Sequence, residues 1–188
     1  MRKSVKIFKQ QFYLSSIKSL KGTILEVGFG NGATLLKYSS ASKVIAIEND
    51  KIKVEKAKQI LQGNNIQNVK VLFGSLENLP FDNEYFDAIT FSFTLCSVHS
   101  QSKSIQEINR VLKSNGKLIA IEHTQSKNLF YRCIQKLITK PIALIFGNCH
   151  LDSEPKKILS EGEFEILKEN YLSFFIEPQL YIEAVKLN

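Results

Sequence analysis

The stretch ILEVGFGNGATLL, Ile24 to Leu36, sets three glycines at alternate positions behind an apolar run that contains one acid. The run ILEV reads as a buried strand, and Gly28, Gly30 and Gly32 form a GxGxG turn directly after it. Glycine accepts positive φ and leaves room for a ligand to approach the backbone where a Cβ would collide. The residues from about Ala33 to Ser40 read as a helix after the turn, whose free amides at the N-terminus would suit a carboxylate or phosphate. Glu26 is the anomaly: a carboxylate buried one pleat before the turn needs a hydrogen bond or a cation to offset its desolvation.

Outward from this turn, short β-branched apolar runs alternate with amphipathic segments, the pattern of an α/β domain with a largely parallel sheet. Further strands are expected at KVIAIE (43–48), VKVLFG (69–74), FDAITFSF (86–93) and KLIAIE (117–122). Helices are expected over 50–61, with Ile52, Ala57 and Ile60 facing inward, over 102–112, over 128–146 with a kink at Pro141, and over 154–159. The sequence GNN at 63–65 suits a left-handed helix cap. The segments FEILKENYLSFF and LYIEAVKL read as a closing antiparallel pair. At 188 residues, with no repeats or low-complexity tracts, one domain is expected: an arm over 1–21, a core over 22–125 and a helix with closing strands over 126–188.

The net charge of +7 is concentrated at one end. Residues 1–21 hold six of the 25 basic side chains and no acid, which leaves 19 basic against 18 acidic in the rest. Val5, Phe8 and Phe12 recur at helical spacing, so the arm reads as a basic amphipathic helix. It would either lie over the domain with its lysines in water or touch an anionic membrane surface. The body has no stripe of basic and aromatic residues, so nucleic acid is not an expected partner. No apolar run is long enough to span a bilayer, and neither a signal peptide nor a paired cysteine framework is evident. The expected location is the cytoplasm, and the sequence leaves the oligomeric state open. Cys96 and Cys133 read as core residues, and Cys149 beside His150 lacks further ligands at usable spacing, so no metal site is expected.

Glu48 ends the second strand, eighteen residues beyond Gly30. In sheets of this kind an acid at that place takes the hydroxyls of a ribose. The dinucleotide fingerprint GxGxxG would need a third glycine where Ala33 stands, and Glu26 has no task in holding a pyrophosphate. A cofactor that carries an adenosine and a cationic amine, without phosphate, fits these residues better than NAD.

These residues resemble the Rossmann-like, class I S-adenosylmethionine-dependent methyltransferases over nearly the whole chain. LEVGFGNG is similar to their first motif, IEND to the acidic second, GSLENLPFDNEYFDAITFSF to the adenine-side loop and fourth strand, and EINRVLKSNGKLIAIEH to the following helix and fifth strand. A narrower likeness runs through TLCSVHSQSKSIQEINRVL and IFGNCHLDSEPKKILSEGEFEI, which resemble methyltransferase-like proteins that include animal thiol methyltransferases and their bacterial relatives. The resemblance implies a three-layer αβα sandwich with a mostly parallel seven-stranded sheet and a C-terminal antiparallel strand pair. It implies S-adenosylmethionine as cofactor and S-adenosylhomocysteine as product. By position, Glu26, Gly28, Gly30 and Gly32 would hold the methionyl end, Glu48 the ribose and Asn49 the adenine. Ser75 and Leu76 would meet the adenine edge with Glu77 close by, and Phe91 would lie beside the methionyl part. Two departures stand out: Ser114-Asn115-Gly116 replaces the usual Pro-Gly-Gly turn, and Ser75 stands where an aspartate is common.

A sulfonium methyl is already activated, so the protein's main tasks are to align the acceptor and exclude water. A thiol or hydroxyl acceptor must also lose a proton. His123, beside Glu122 at the end of the fifth strand, His99, just beyond the fourth, and His150, beside Cys149, are the candidates for that base. The leading expectation is methyl transfer to a small molecule, with a thiol as one class. Two alternatives stay open: a cofactor-binding module without turnover, and a phospholipid or quinone methyltransferase that works at a membrane surface through residues 1–21.

Overall fold

The computed structural model describes residues 2–38, 40, 42–145, 148–172 and 177–187, without the side chains of 2–10 and 145. Helix α1 (Arg2–Ser19) leads into strand β1 (Gly22–Val27), followed by β2 (Ser42–Glu48), α2 (Lys51–Gly63), β3 (Val69–Phe73) and β4 (Phe86–Ser92). Then come α3 (Gln101–Val111), β5 (Leu112–His123), α4 (Leu129–Ile145), α5 (Pro155–Glu161), β6 (Phe164–Leu172) and β7 (Gln179–Lys186). The strands form one seven-stranded sheet in the order β3-β2-β1-β4-β5-β7-β6. Strands β1 to β5 pair in parallel, and β7 runs antiparallel to both β5 and β6. The α/β class and the closing antiparallel pair are therefore as the sequence implies.

Side-chain alternation along the strands builds a core on each face of the sheet. Leu25, Ile47 and Phe91 join Ile105 and Ile108 of α3 and Leu159 of α5 on one side. Ile24, Val44 and Ile119 join Tyr13 and Ile17 of α1 and Val54 and Ala57 of α2 on the other. The C-terminal half of α1 thus belongs to the core, with Ile17 fully buried and Ser16 hydrogen-bonded to the Tyr181 hydroxyl at 2.6 Å. Lys18 and Lys21 face water. The expectation that the arm is laid over the domain holds for this half; the side chains of Val5 and Phe8 lie outside the described residues. Among the described residues no helix is long and apolar enough to cross a membrane.

Several local expectations are corrected. Among its described residues, the segment after the glycine turn forms a one-turn 3₁₀ helix, Leu35–Lys37, and no α-helix. Tyr38 leaves the helical region at φ −68°, ψ 147° and turns inward to bond Thr90 at 2.6 Å. In α2 the inward face is Val54, Ala57 and Leu61, while Ile52 is 68% exposed in the first turn, where Asp50 caps the helix from below. The left-handed residue expected within GNN after α2 is Asn65, at φ 53°. Cys133 is exposed on α4, not in the core. Asn115 at φ 60° keeps the turn within β5 despite the missing glycine pair, as a loop of extra residues between the Phe86–Leu112 and Ala88–Lys117 pairings.

Candidate active site at the ends of β1, β2 and β4

The chain runs from β1 to β2 on one side and crosses to β4 on the other, so the carboxyl ends of β1, β2 and β4 border the point where strand order reverses. Open α/β sheets leave a crevice there. In this protein it is a cavity of about 460 Å³.

The floor is the glycine turn. Gly28 donates its amide to the Ile47 carbonyl at 2.8 Å, and Gly74 donates to the Glu48 carbonyl at 3.0 Å, which ties three strand ends together. Gly28 has φ 69°, and a Cβ there would meet Thr94 Oγ1 at 2.5 Å; its bareness serves the close approach of the β4 tail. Gly30 also has positive φ, 57°, but a Cβ would meet nothing within 4 Å, because that side faces the cavity. Gly32 is buried against Leu35 and does not line the cavity.

The two acids that flank the turn differ. Glu48 lines the cavity with both oxygens engaged: Oε2 accepts the Gly30 amide at 2.9 Å, and Oε1 accepts the Asn49 amide at 3.1 Å with Lys53 Nζ at 3.9 Å. Glu26 lies beneath the turn on the face covered by α1. One of its oxygens accepts the Thr34 hydroxyl, and the other is buried with no hydrogen-bond partner among the described residues. Burial pushes this carboxyl up to about 7, against the lowering pull of the Thr34 and Tyr38 hydroxyls. The Tyr13 hydroxyl, from α1, is the second buried orphan in the same layer.

The remaining walls come from two loops. Asn49 and Asp50 follow β2, and Ser75, Leu76 and Glu77 follow β3. Glu77 Oε1 also accepts the Ser100 amide at 2.6 Å, which joins the β3 loop to the start of α3. Opposite them, Ser92, Phe93, Thr94, Ser97 and His99 line the cavity after β4. Phe91 does not: it is fully buried in the core on the α3 side. Phe93 takes φ 55°, which rotates its ring out of the strand's alternation onto the opposite face, where it packs on His123 at 4.7 Å. A bulky residue in the left-handed region marks a constrained position. The constraint is supplied by Glu122, fully buried, which accepts the amides of Thr94 (2.6 Å), Leu95 (3.0 Å) and Cys96 (3.1 Å). Burial raises the Glu122 pKa while these three amides oppose the rise.

His123 is not on the cavity wall. Its Nδ1 lies 3.5 Å from Cys96 Sγ and 3.3 Å from Cys149 Sγ, and the two sulfurs are 3.7 Å apart. Cys149, expected to lack further partners, therefore has two. The thiols are driven apart in acidity: the bond with Cys149, burial and the Glu122 charge raise Cys96, while the Cys96 thiol and then His123 lower Cys149. His150 is on the neighbouring loop and donates its backbone amide to the Cys96 carbonyl at 2.8 Å. Phe93, Thr94, Lys53 and the cysteine pair were not among the expected site residues. The FSF repeat at 91–93 carried the signal for an aromatic wall but not for which ring would supply it.

Residues 25–120, just over half of the chain, match the methyltransferase domain family. The chain belongs to that family. It is 29% identical to thiol S-methyltransferase TMT1B of Rattus norvegicus over 83% of its own length and 67% of the relative's. It is 27% identical to thiol S-methyltransferase TMT1A of Homo sapiens over 88% and 71% of the two chains. The ubiquinone/menaquinone biosynthesis C-methyltransferase UbiE of Rickettsia bellii is 30% identical over 76% of this chain and 62% of that one. Among solved structures, the YcgJ protein of Bacillus subtilis matches over the whole of both chains with a TM-score of 0.78 at 16% identity. A methyltransferase of Bacillus halodurans matches over 94% of this chain and 98% of that one, at 0.79 and 19%. These structural likenesses establish the Rossmann-like fold; the family match makes the protein a SAM-dependent methyltransferase.

Proposed function

We propose that this methyltransferase binds S-adenosylmethionine (SAM) in the cavity between Glu48 and the glycine turn and transfers its methyl group to a small thiol. The observation that carries the reading is the pair of acids across one turn. Glu48 presents its carboxyl oxygens to the cavity, and Glu26 keeps one buried oxygen without a partner among the described residues. A cofactor with a ribose and an ammonium supplies what both lack: hydroxyl donors for the spare lone pairs of Glu48, and positive charge for Glu26. The open space over Gly30 suits the methionyl backbone.

In this reading Gly28 and Gly30 form the floor beneath the methionyl end, with Glu26 and Gly32 acting through the turn from below. Asn49 lines the adenine, and Ser75, Leu76 and Glu77 form its edge. Ser92 and Phe93 take the place expected of Phe91. When bound, the cofactor supplies an activated sulfonium methyl. The protein's contribution is alignment: Phe93 and Thr94, held by the Glu122 cap, fix the wall on the acceptor side, and burial of the reacting atoms excludes water. A thiol of ordinary pKa, about 8.5, is a few per cent ionised at neutral pH, so a base is an aid and not a requirement. His99 is exposed on the cavity wall and is the histidine placed to take that proton; His123 turns its Nδ1 to the cysteines instead.

The thiol class is supported by the two thiol S-methyltransferases, each similar over more than four fifths of this chain. A quinone acceptor is the second reading, favoured by the similarity to UbiE. Incubation of the protein with SAM and a panel of small thiols and demethylquinones, read by mass spectrometry, separates them. Formation of S-adenosylhomocysteine with a methyl thioether is the expected outcome. A methylated quinone without thioether would replace the acceptor, and no demethylated cofactor with any acceptor would reduce the protein to a binding module.

A further inference from the structure

Behind the Phe93 and Ser97 wall, three soft donors converge from distant parts of the chain. Cys96 comes from the turn after β4, His123 from the end of β5 and Cys149 from the loop between α4 and α5. A tetrahedral zinc ion has bonds of about 2.3 Å to sulfur and about 2.0 Å to nitrogen, which place two ligand sulfurs about 3.8 Å apart and a sulfur and a nitrogen about 3.5 Å apart. The corresponding separations are 3.7 Å between the sulfurs and 3.5 and 3.3 Å from each sulfur to His123 Nδ1. The triangle is one face of such a tetrahedron.

The donors are also held in place by contacts outside the triangle. Glu122 clamps the Cys96 turn through three amides. His123 is fixed by its β7 pairing with Gln179 and by the Phe93 ring. The Cys149 loop is tied on both sides: Asn148 Nδ2 donates to the Val98 carbonyl at 3.2 Å, the His150 amide to the Cys96 carbonyl at 2.8 Å, and Gln135 Nε2 to the Leu151 carbonyl at 3.0 Å. Such prior fixing of ligands is what a metal site needs.

We propose that Cys96, His123 and Cys149 form a binding site for a thiophilic divalent cation of the zinc class. Two thiolates and one imidazole select soft and borderline metals over magnesium or calcium. Three protein ligands leave the fourth position of the tetrahedron open, the arrangement of sites at which an exogenous molecule binds the metal. Ser97 Oγ lies 3.6 Å from Cys96 Sγ and also lines the cavity, so the metal would sit one residue from the acceptor wall. The consequence, which rests on the thiol reading above, is that an acceptor thiol takes the fourth position, losing its proton to His99 and binding as the thiolate.

Cobalt(II) is the probe, because thiolate ligation gives it a charge-transfer band and tetrahedral geometry gives intense visible bands. The full chain, reduced with a phosphine and stripped by a chelator, is titrated with cobalt(II) in the absence of cofactor. The expected result is both sets of bands saturating at one equivalent and bleached by zinc(II). Cys133→Ser, which removes the exposed third thiol, should leave them unchanged, and Cys149→Ser should weaken binding at least a hundredfold. If that variant is unfolded by circular dichroism, His123→Ala keeps both sulfurs and should show the same loss. Absence of the thiolate band in the reduced wild-type protein, or a band untouched by the Cys149 and His123 substitutions, overturns the site. Addition of 2-mercaptoethanol should then perturb the charge-transfer band, and an unchanged spectrum overturns the open position. Neither readout involves methyl transfer, so failure of the acceptor assay and failure of the metal site are separate results.

Discussion

The two flanks of the glycine turn solve different electrostatic problems with the same residue type. On the β2 side, Glu48 stands at the rim with its oxygens shared among two backbone amides and a lysine. On the α1 side, Glu26 is sealed under Tyr13 and Tyr38 with one oxygen unpaired, and burial holds its proton up to about pH 7. One acid is built to accept hydroxyls; the other waits for a cation. The difference lies in what covers them: cavity over Glu48, core over Glu26.

The largest consequence is in the pH dependence of stability without ligand. Below the ordinary carboxylate value of 4.5 both folded and unfolded chains hold the Glu26 proton. Between 4.5 and about 7 only the folded chain holds it, so this group's contribution to stability falls as pH rises through that window and stays lower above it. The shift corresponds to about 3 kcal/mol. Urea titrations across pH should show the decline in the wild type and its absence in Glu26→Gln. An identical slope in both would remove the contrast between the acids.

Next in size is Glu48→Ala, which removes the ribose acceptor and the anchor of the Gly30 amide. It should weaken SAM binding about thirtyfold, about 2 kcal/mol, as for loss of a charge-assisted hydrogen bond. Calorimetric titration measures it, and unchanged affinity would assign Glu48 to fold maintenance alone.

How far the sequence discloses this arrangement depends on the range of the signal. Strands β1 to β5 are legible because β-branched runs between turn residues have few other uses, and the GxGxG turn with Glu26 and Glu48 is legible because its parts lie within one βαβ unit. The helix after the turn is not, because Tyr38 leaves helical geometry to reach Thr90 across the sheet, a contact with no local trace. Nor is the exchange of Phe93 for Phe91, which follows from a single positive φ imposed by Glu122 from another strand. The Cys96, His123 and Cys149 cluster is the extreme case. Its members are more than twenty residues apart in the chain, and ligand spacing rules read only near neighbours.

Two smaller effects sharpen the comparison. His99→Ala should lower thiol methylation about tenfold at pH 7, and the gap should close as pH rises past the thiol pKa of about 8.5. A gap that persists at high pH would give His99 a positioning role instead of a base's. Of the glycines, Gly30→Ala should cost about 1 kcal/mol of stability for its left-handed backbone and show most clearly in cofactor affinity. Gly28→Ala should show most clearly in thermal unfolding, because its Cβ strikes Thr94. A reversed pattern would place the cavity floor on the wrong glycine.

The most direct test of the two-acid account is calorimetric titration of SAM near pH 6.5 in buffers of different ionisation enthalpy. The account predicts one binding site, with a proton released as the cofactor's ammonium, acting through the glycine turn, ionises Glu26. The release should vanish in Glu26→Gln and persist in Glu48→Ala. No heat at any pH, or binding with the same proton count in all three proteins, would contradict it.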